Sequence, residues 1–157
     1  MARSRHCPCG SGRDYGSCCG LYHRGAEPPD AVTLMRSRYS AYARGDLGYL
    51  WRTMHPSHVD RVDHTEGDFV AQVRPVAQSH RFMALVILDH SPEDAEGIAR
   101  VLFLARVFHA GRDKSFVEAS KFVRDGPRWR YLAGTMQRIG TVDTDPMALT
   151  LADFDET

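Results

Sequence analysis

All four cysteines of the chain fall in one short window, Cys7-Pro8-Cys9 and, after eight intervening residues, Cys18-Cys19. Thiols grouped this way are a local device, and the spacing can put four thiolates around one ion. Zn2+ takes a tetrahedron of sulfur ligands at about 2.3 Å in closed structural sites. Soft thiolates favour zinc or iron–sulfur over calcium and magnesium, and so short a loop leaves little room for a cluster. Cys7, Cys9, Cys18 and Cys19 are therefore the expected metal ligands and Zn2+ the expected cofactor. Pro8, Gly10, Gly12 and Gly16 suit a loop that must turn around an ion. Ser11 and Ser17 are placed to hydrogen-bond the sulfurs, Tyr15 and Tyr22 to shield them. His6 and His23 flank the site, and either could replace a thiolate. The competing reading is a disulfide staple or a reactive loop. No apolar leader follows Met1, so a cytoplasmic, reducing location is expected, and a bond between adjacent Cys18 and Cys19 would be strained.

The run Cys7-Pro8-Cys9-Gly10-Ser11-Gly12 through Cys18-Cys19 resembles the SEC-C zinc motif. Its continuation, Leu34-Met35-Arg36-Ser37-Arg38-Tyr39, then His55-Pro56-Ser57, Ala105-Arg106 and Glu118, resembles the YchJ-like family of uncharacterised bacterial proteins. That resemblance implies a zinc knuckle joined to a fold similar to nuclear transport factor two, a curved cystatin-like sheet wrapped by helices. It carries the ligand role over to the same four cysteines. Some members of the family have a second SEC-C motif at the C-terminus, whereas no cysteine follows Cys19 here.

A chain of 157 residues can bury one ordinary core. The expected organisation is a knuckle over 1–24, a linker over 25–29, an α+β domain over 30–140 and an acidic tail over 141–157. A segment as small as the knuckle needs ligation energy to fold. Lysine plus arginine equals aspartate plus glutamate, 20 each, which argues against a general nucleic-acid binder. The charge is uneven: Arg3, Arg5, Arg13 and Arg24 face only Asp14 at one end, and Asp143, Asp145, Asp153, Asp155 and Glu156 mark the other. No apolar stretch approaches the roughly 20 residues needed to cross a bilayer.

Asp30 can cap a helix over 31–44, in which Ala31, Leu34, Met35, Arg38, Tyr39 and Tyr42 recur at helical spacing. Leu47, Leu50, Trp51 and Met54 mark a second helix ended by Pro56, and 65–73 a third. The period then changes, and 81–89, 98–109, 115–124 and 128–132 read as strands. Helices followed by an antiparallel meander define an α+β class with helices on one sheet face.

Pairing the central hairpin symmetrically about Arg112 sets Phe108 opposite Phe116, Leu102 opposite Phe122 and Arg106 opposite Glu118. This register predicts an Arg106–Glu118 ion pair on the helix-facing side with Leu102 and Leu104. The other face, with Val101, Phe103, Val107, Val117 and Val123, then needs a cover. A second subunit in a homodimer, the knuckle or a tail docked through Met147, Leu149, Leu151 and Phe154 could supply it. Two functions compete. The knuckle can dock another protein on the α+β platform, since a closed four-thiolate site leaves no open coordination position. Alternatively, a small-molecule binder or enzyme would use the cone between helices and sheet, with Arg38, Trp51, His55, Arg106 and Glu118 as the pocket candidates.

Overall fold

The computed structural model describes residues 6–141 and 145–155. Arg3, Arg5, Asp143 and Glu156 lie outside the described residues. A short helix in the cysteine segment, Cys19–His23 (α1), precedes the long α2, Ala31–Arg44. The Asp30 side chain accepts the Thr33 amide at 2.7 Å and starts α2. Asp46 accepts the Tyr49 amide and starts α3, Leu47–Arg52. After α4, Val59–Asp63, a reciprocal Thr65–Asp68 capping box starts α5, Glu66–Ser79. This last helix outruns its expected end: it passes through Pro75, buries Phe69 and packs Val70, Val73 and Ala77 on the core.

The sheet is antiparallel, with β1 (His80–His90), β2 (Ile98–His109), β4 (Phe116–Asp125) and β5 (Arg128–Arg138) side by side in that order. The short β3, Arg112–Asp113, continues the hairpin on β2. Register shifts between Phe82 and Ala84, between Ile87 and Asp89, and opposite Lys121/Phe122 bend the sheet into a curve. Strand β5 runs to Arg138, well past the expected 132.

The central hairpin corrects the symmetric register. His109 pairs with Arg112, so the turn is Ala110-Gly111, both at positive φ (52° and 77°), the geometry of a tight primed turn. Phe116 consequently faces Ala105 rather than Phe108, and Glu118 faces Phe103 rather than Arg106. An offset of three residues is odd, so it exchanges the two faces of β2 relative to β4. The helix-facing core holds Ala99, Val101, Phe103, Ala105 and Val107 with Phe122, whereas Leu102 and Leu104 lie on the back with Val117 and Ala119. The expected Arg106–Glu118 ion pair does not form: Arg106 shares the back face by strand alternation and is exposed.

The C-terminal segment covers that back face. Leu149, Leu151 and Phe154 pack on Leu102, Leu104 and Val117, while Met147 stays exposed. Asp89 accepts the Leu151 amide at 2.9 Å, and Arg100 pairs with Asp155. At the other end, Glu27 in the 25–29 segment meets Arg130 of β5 at 2.8 Å, and Pro28 is buried.

Candidate metal centre and cone cavity

Gly10 and Gly12, both at φ 82°, let the backbone fold back after Pro8, and the Cys7 amide bonds the Arg13 carbonyl at 2.8 Å. A turn at Tyr15–Ser17 and α1 then bring Cys18 and Cys19 to the same place. The four sulfurs lie within 4.8 Å of one another, with Cys9 Sγ and Cys18 Sγ 3.7 Å apart. Four ligands at 2.3 Å from a common centre would stand about 3.8 Å apart, so the donor set fits a tetrahedral thiolate site. Cys9 is fully buried, and Cys18, the most open, keeps 5% of its surface.

Four adjacent thiols cannot all ionise by themselves. The hydrogen bond from Cys19 draws Cys9 down to about 4, while that same contact, with burial, pushes Cys19 far above the ordinary thiol range. Burial also raises Cys18. A divalent cation removes the conflict, because a coordinated thiol is deprotonated. Ser11 Oγ sits 3.2 Å from Cys18 Sγ, as its position suggested, and Ser40 Oγ of α2 sits 3.4 Å from Cys7 Sγ.

Neither flanking histidine joins the sulfurs. His6 is exposed and bridges Asp14. His23 Nε2 donates to the Ser37 carbonyl at 2.8 Å, which leaves Nδ1 to accept from the Tyr15 hydroxyl at 2.5 Å. Burial holds the His23 pKa below the usual imidazole value, consistent with this neutral strut. Arg36 donates to the Cys9 carbonyl at 2.8 Å, and the Arg44 guanidinium lies 3.7 Å over the Tyr15 ring. Arg36, Ser40 and Arg44 stand one turn apart, so α2 is buried on two sides: an apolar stripe on the sheet and a polar stripe on the cysteine segment.

Between α2, α5 and the concave sheet lies an open cavity of about 310 Å³. Arg38 and Glu118 line it; Trp51, His55 and Arg106 do not. Trp51 packs on Phe69 at 5.6 Å between ring centres, under the Arg61 guanidinium. His55 serves its own turn: its amide bonds the Tyr131 carbonyl at 2.8 Å and Nδ1 accepts the Ser57 amide at 3.0 Å. Arg106 is removed by the register already described.

Arg38 is 5% exposed, and both of its hydrogen bonds leave from Nη1, to the Leu50 carbonyl at 2.9 Å and Thr53 Oγ1 at 2.7 Å. Its guanidinium lies 4.5 Å over the Tyr131 ring. Glu118 accepts from the Ser120 hydroxyl at 2.5 Å and the Tyr131 hydroxyl at 3.0 Å. Burial raises the Tyr131 pKa, which keeps that phenol protonated as a donor. Sequence reasoning missed Tyr131, Lys114, His80 and Arg138, which also line the cavity. Lys114 was hidden by its place in the connection between β3 and β4, and Arg138 by its place at the end of β5; for Tyr131, the alternation with Trp129 was the available signal.

A curved antiparallel sheet roofed by helices, with a four-cysteine cluster seated on the first long helix, defines a nuclear transport factor two-like domain with a cluster that fits a SEC-C zinc motif. The family model described as the YchJ middle NTF2-like domain matches residues 30–134. The chain belongs to this YchJ-like family, which is also named UPF0225. It is 43% identical over 128 residues to a UPF0225 protein of Xanthomonas oryzae pv. oryzae, covering 80% of this chain and 91% of that one. It is 34% identical over 146 residues to the UPF0225 protein YchJ of Shigella dysenteriae, covering 91% of each. Among solved structures, a SEC-C motif containing protein of Rhodopseudomonas palustris matches with a TM-score of 0.70 and 32% identity, covering 83% of this chain and 97% of that one. A second, from Psychrobacter arcticus, shares the fold with a TM-score of 0.68 at 23% identity, covering 90% of this chain and 84% of that one. Among the described residues, no helix is long and apolar enough to cross a membrane.

Proposed function

We propose that the chain is a small-molecule-binding protein whose working site is the cone cavity and whose cysteine segment carries one structural Zn2+. The observation that carries the reading is an open 310 Å³ cavity with a buried arginine in its lining, since a chain that needed only a platform would fill that cone with side chains. Cys7, Cys9, Cys18 and Cys19 would hold the zinc, which supplies folding energy and no reactive position, because four protein sulfurs complete the shell. Docking of a partner on the cysteine segment is the weaker reading: its sulfur side is buried, and Arg36, His23 and Ser40 tie it inward to α2. The activity assigned is binding: His55, the imidazole among the expected pocket residues, is committed to its own turn, and His80, the imidazole in the lining, has Nδ1 3.0 Å from the Val76 carbonyl and from the Ser79 hydroxyl and stacks on His109 at 4.4 Å.

The neutral apolar fluorophore N-phenyl-1-naphthylamine tests the cavity. Wild-type protein should bind it, and Ala105→Phe, which fills the cavity from its wall, should not. Equal binding by both proteins would overturn the reading. Metal analysis of protein purified without chelator should give about one zinc per chain, lost in Cys18→Ser.

A further inference from the structure

Resting on that reading, we infer that the cavity selects a small organic carboxylate: an apolar or aromatic body seated between Phe82, Phe103 and Phe116, with its anionic end on Arg38. Burying a cation is costly unless it is paired. Arg38 is nearly enclosed, yet among the described residues no carboxylate stands within ion-pair distance of it, and neither Nε nor Nη2 takes a protein acceptor. A guanidinium presents a planar fork that fits a carboxylate with two parallel bonds.

The rest of the lining has the same sign. Lys114 and Arg138 also line the cavity, and Glu118 is the sole acid of the lining. Glu118 is itself occupied by the Ser120 and Tyr131 hydroxyls. One wall is aromatic: Tyr39, Tyr42, Phe82, Phe103, Phe116 and Tyr131. A phosphate group fits less well. Such sites draw on backbone amides at helix N-termini, and α2 contributes here through Met35, Arg38, Tyr39 and Tyr42 from its middle. At 310 Å³ the cavity lies at the lower end of the range for small-molecule sites, so the body is of the size of one ring and a short chain.

Titration calorimetry of the zinc-loaded full chain with 3-phenylpropionate, 3-phenylpropionamide and 3-phenylpropylamine tests the class. The carboxylate should bind at least about ten-fold more tightly than the amide, a difference of about 1.4 kcal/mol, and the amine more weakly than either. Arg38→Gln should abolish the preference while leaving amide binding intact. Because Arg38 also holds Leu50 and Thr53, Lys114→Gln at the rim is the second variant, and it should lower carboxylate affinity several-fold with no loss of melting temperature. Carboxylate and amide bound equally, with the neutral fluorophore still excluded by Ala105→Phe, would overturn the carboxylate class and leave the cavity standing. Failure of all three compounds together with the fluorophore would overturn both.

Discussion

Glu118 reaches its position because residue 134 has no side chain. A methyl at Gly134 would stand 2.7 Å from both Glu118 Cδ and the Tyr131 hydroxyl oxygen, well inside contact distance. Gly134→Ala should therefore displace the carboxylate from Tyr131 and Ser120 and cost about 1–3 kcal/mol, the usual range for overpacking. Urea melts would measure it, and adding Glu118→Ala should restore part of the loss; purely additive effects would contradict the steric account. His58 sets a second residue-scale expectation. It is buried at the start of α4 beside the Tyr131 ring, and its Nδ1 accepts the Asp60 amide at 3.0 Å, which an imidazolium cannot do. Burial holds its pKa below the ordinary value of about 6.5. Between that value and the lowered native one, the unfolded chain carries a proton that the native chain lacks, so stability rises with pH there. The contribution is complete above pH about 6.5 and is lost as pH falls through the native pKa. Melting temperatures from pH 8 to pH 5 should decline below about 6.5, and His58→Asn, which keeps a cap acceptor, should flatten its share of that decline.

The elements show how a single extra residue decides which face a side chain reaches. On β5, Trp129 and Tyr131 look toward the helices; Phe122 pairs with Tyr131 but Lys121 with Ala133, so Leu132 is the extra residue. Beyond it the parity reverses, and Gly134, Met136 and Arg138 come opposite Ser120, Glu118 and Phe116 on the cavity side. The tail is an element in the same sense, since it converts a bare apolar sheet face into core. Ending the chain before Asp145 should expose Leu102, Leu104 and Val117, raise binding of an apolar dye and promote self-association, read by sedimentation. A monomer that sediments as the full chain does would count against this role. Helix α2 was legible to its caps, because Asp30 and the stripe from Ala31 to Tyr42 are local signals. The cysteine cluster was legible too, as a spacing. The hairpin register was not: it hangs on Ala110 adopting positive φ, which composition does not favour, and a symmetric choice about Arg112 misassigned Arg106 as a consequence. Nor was the polar stripe of α2 legible, for Ser37 and Ser40 lie off the apolar stripe and only the cysteine segment laid over them accounts for their burial.

At the scale of the whole molecule, the cysteine segment and the cone share one helix. Arg36, Ser37 and Ser40 hold the sulfur loop from one side of α2, while Met35, Arg38 and Tyr39, their immediate neighbours in the chain, line the cavity from the other. Interiors packed at crystal density transmit a displacement instead of absorbing it. Metal loss leaves four buried thiols that cannot share their charge, so the loop should open and withdraw the Cys9 carbonyl from Arg36 and the His23 donor from the Ser37 carbonyl together. Chelation at neutral pH should then lower the melting temperature and speed amide exchange along α2 as well as within residues 6–24. Affinity for the neutral cavity probe should drop in parallel, and added Zn2+ should restore all three. An independent knuckle predicts a different pattern, with faster exchange confined to the cysteine segment and an unaltered cavity. Exchange at Arg38 and Tyr39 separates the two, because those amides lie on the shared helix and belong to neither the loop nor the sheet.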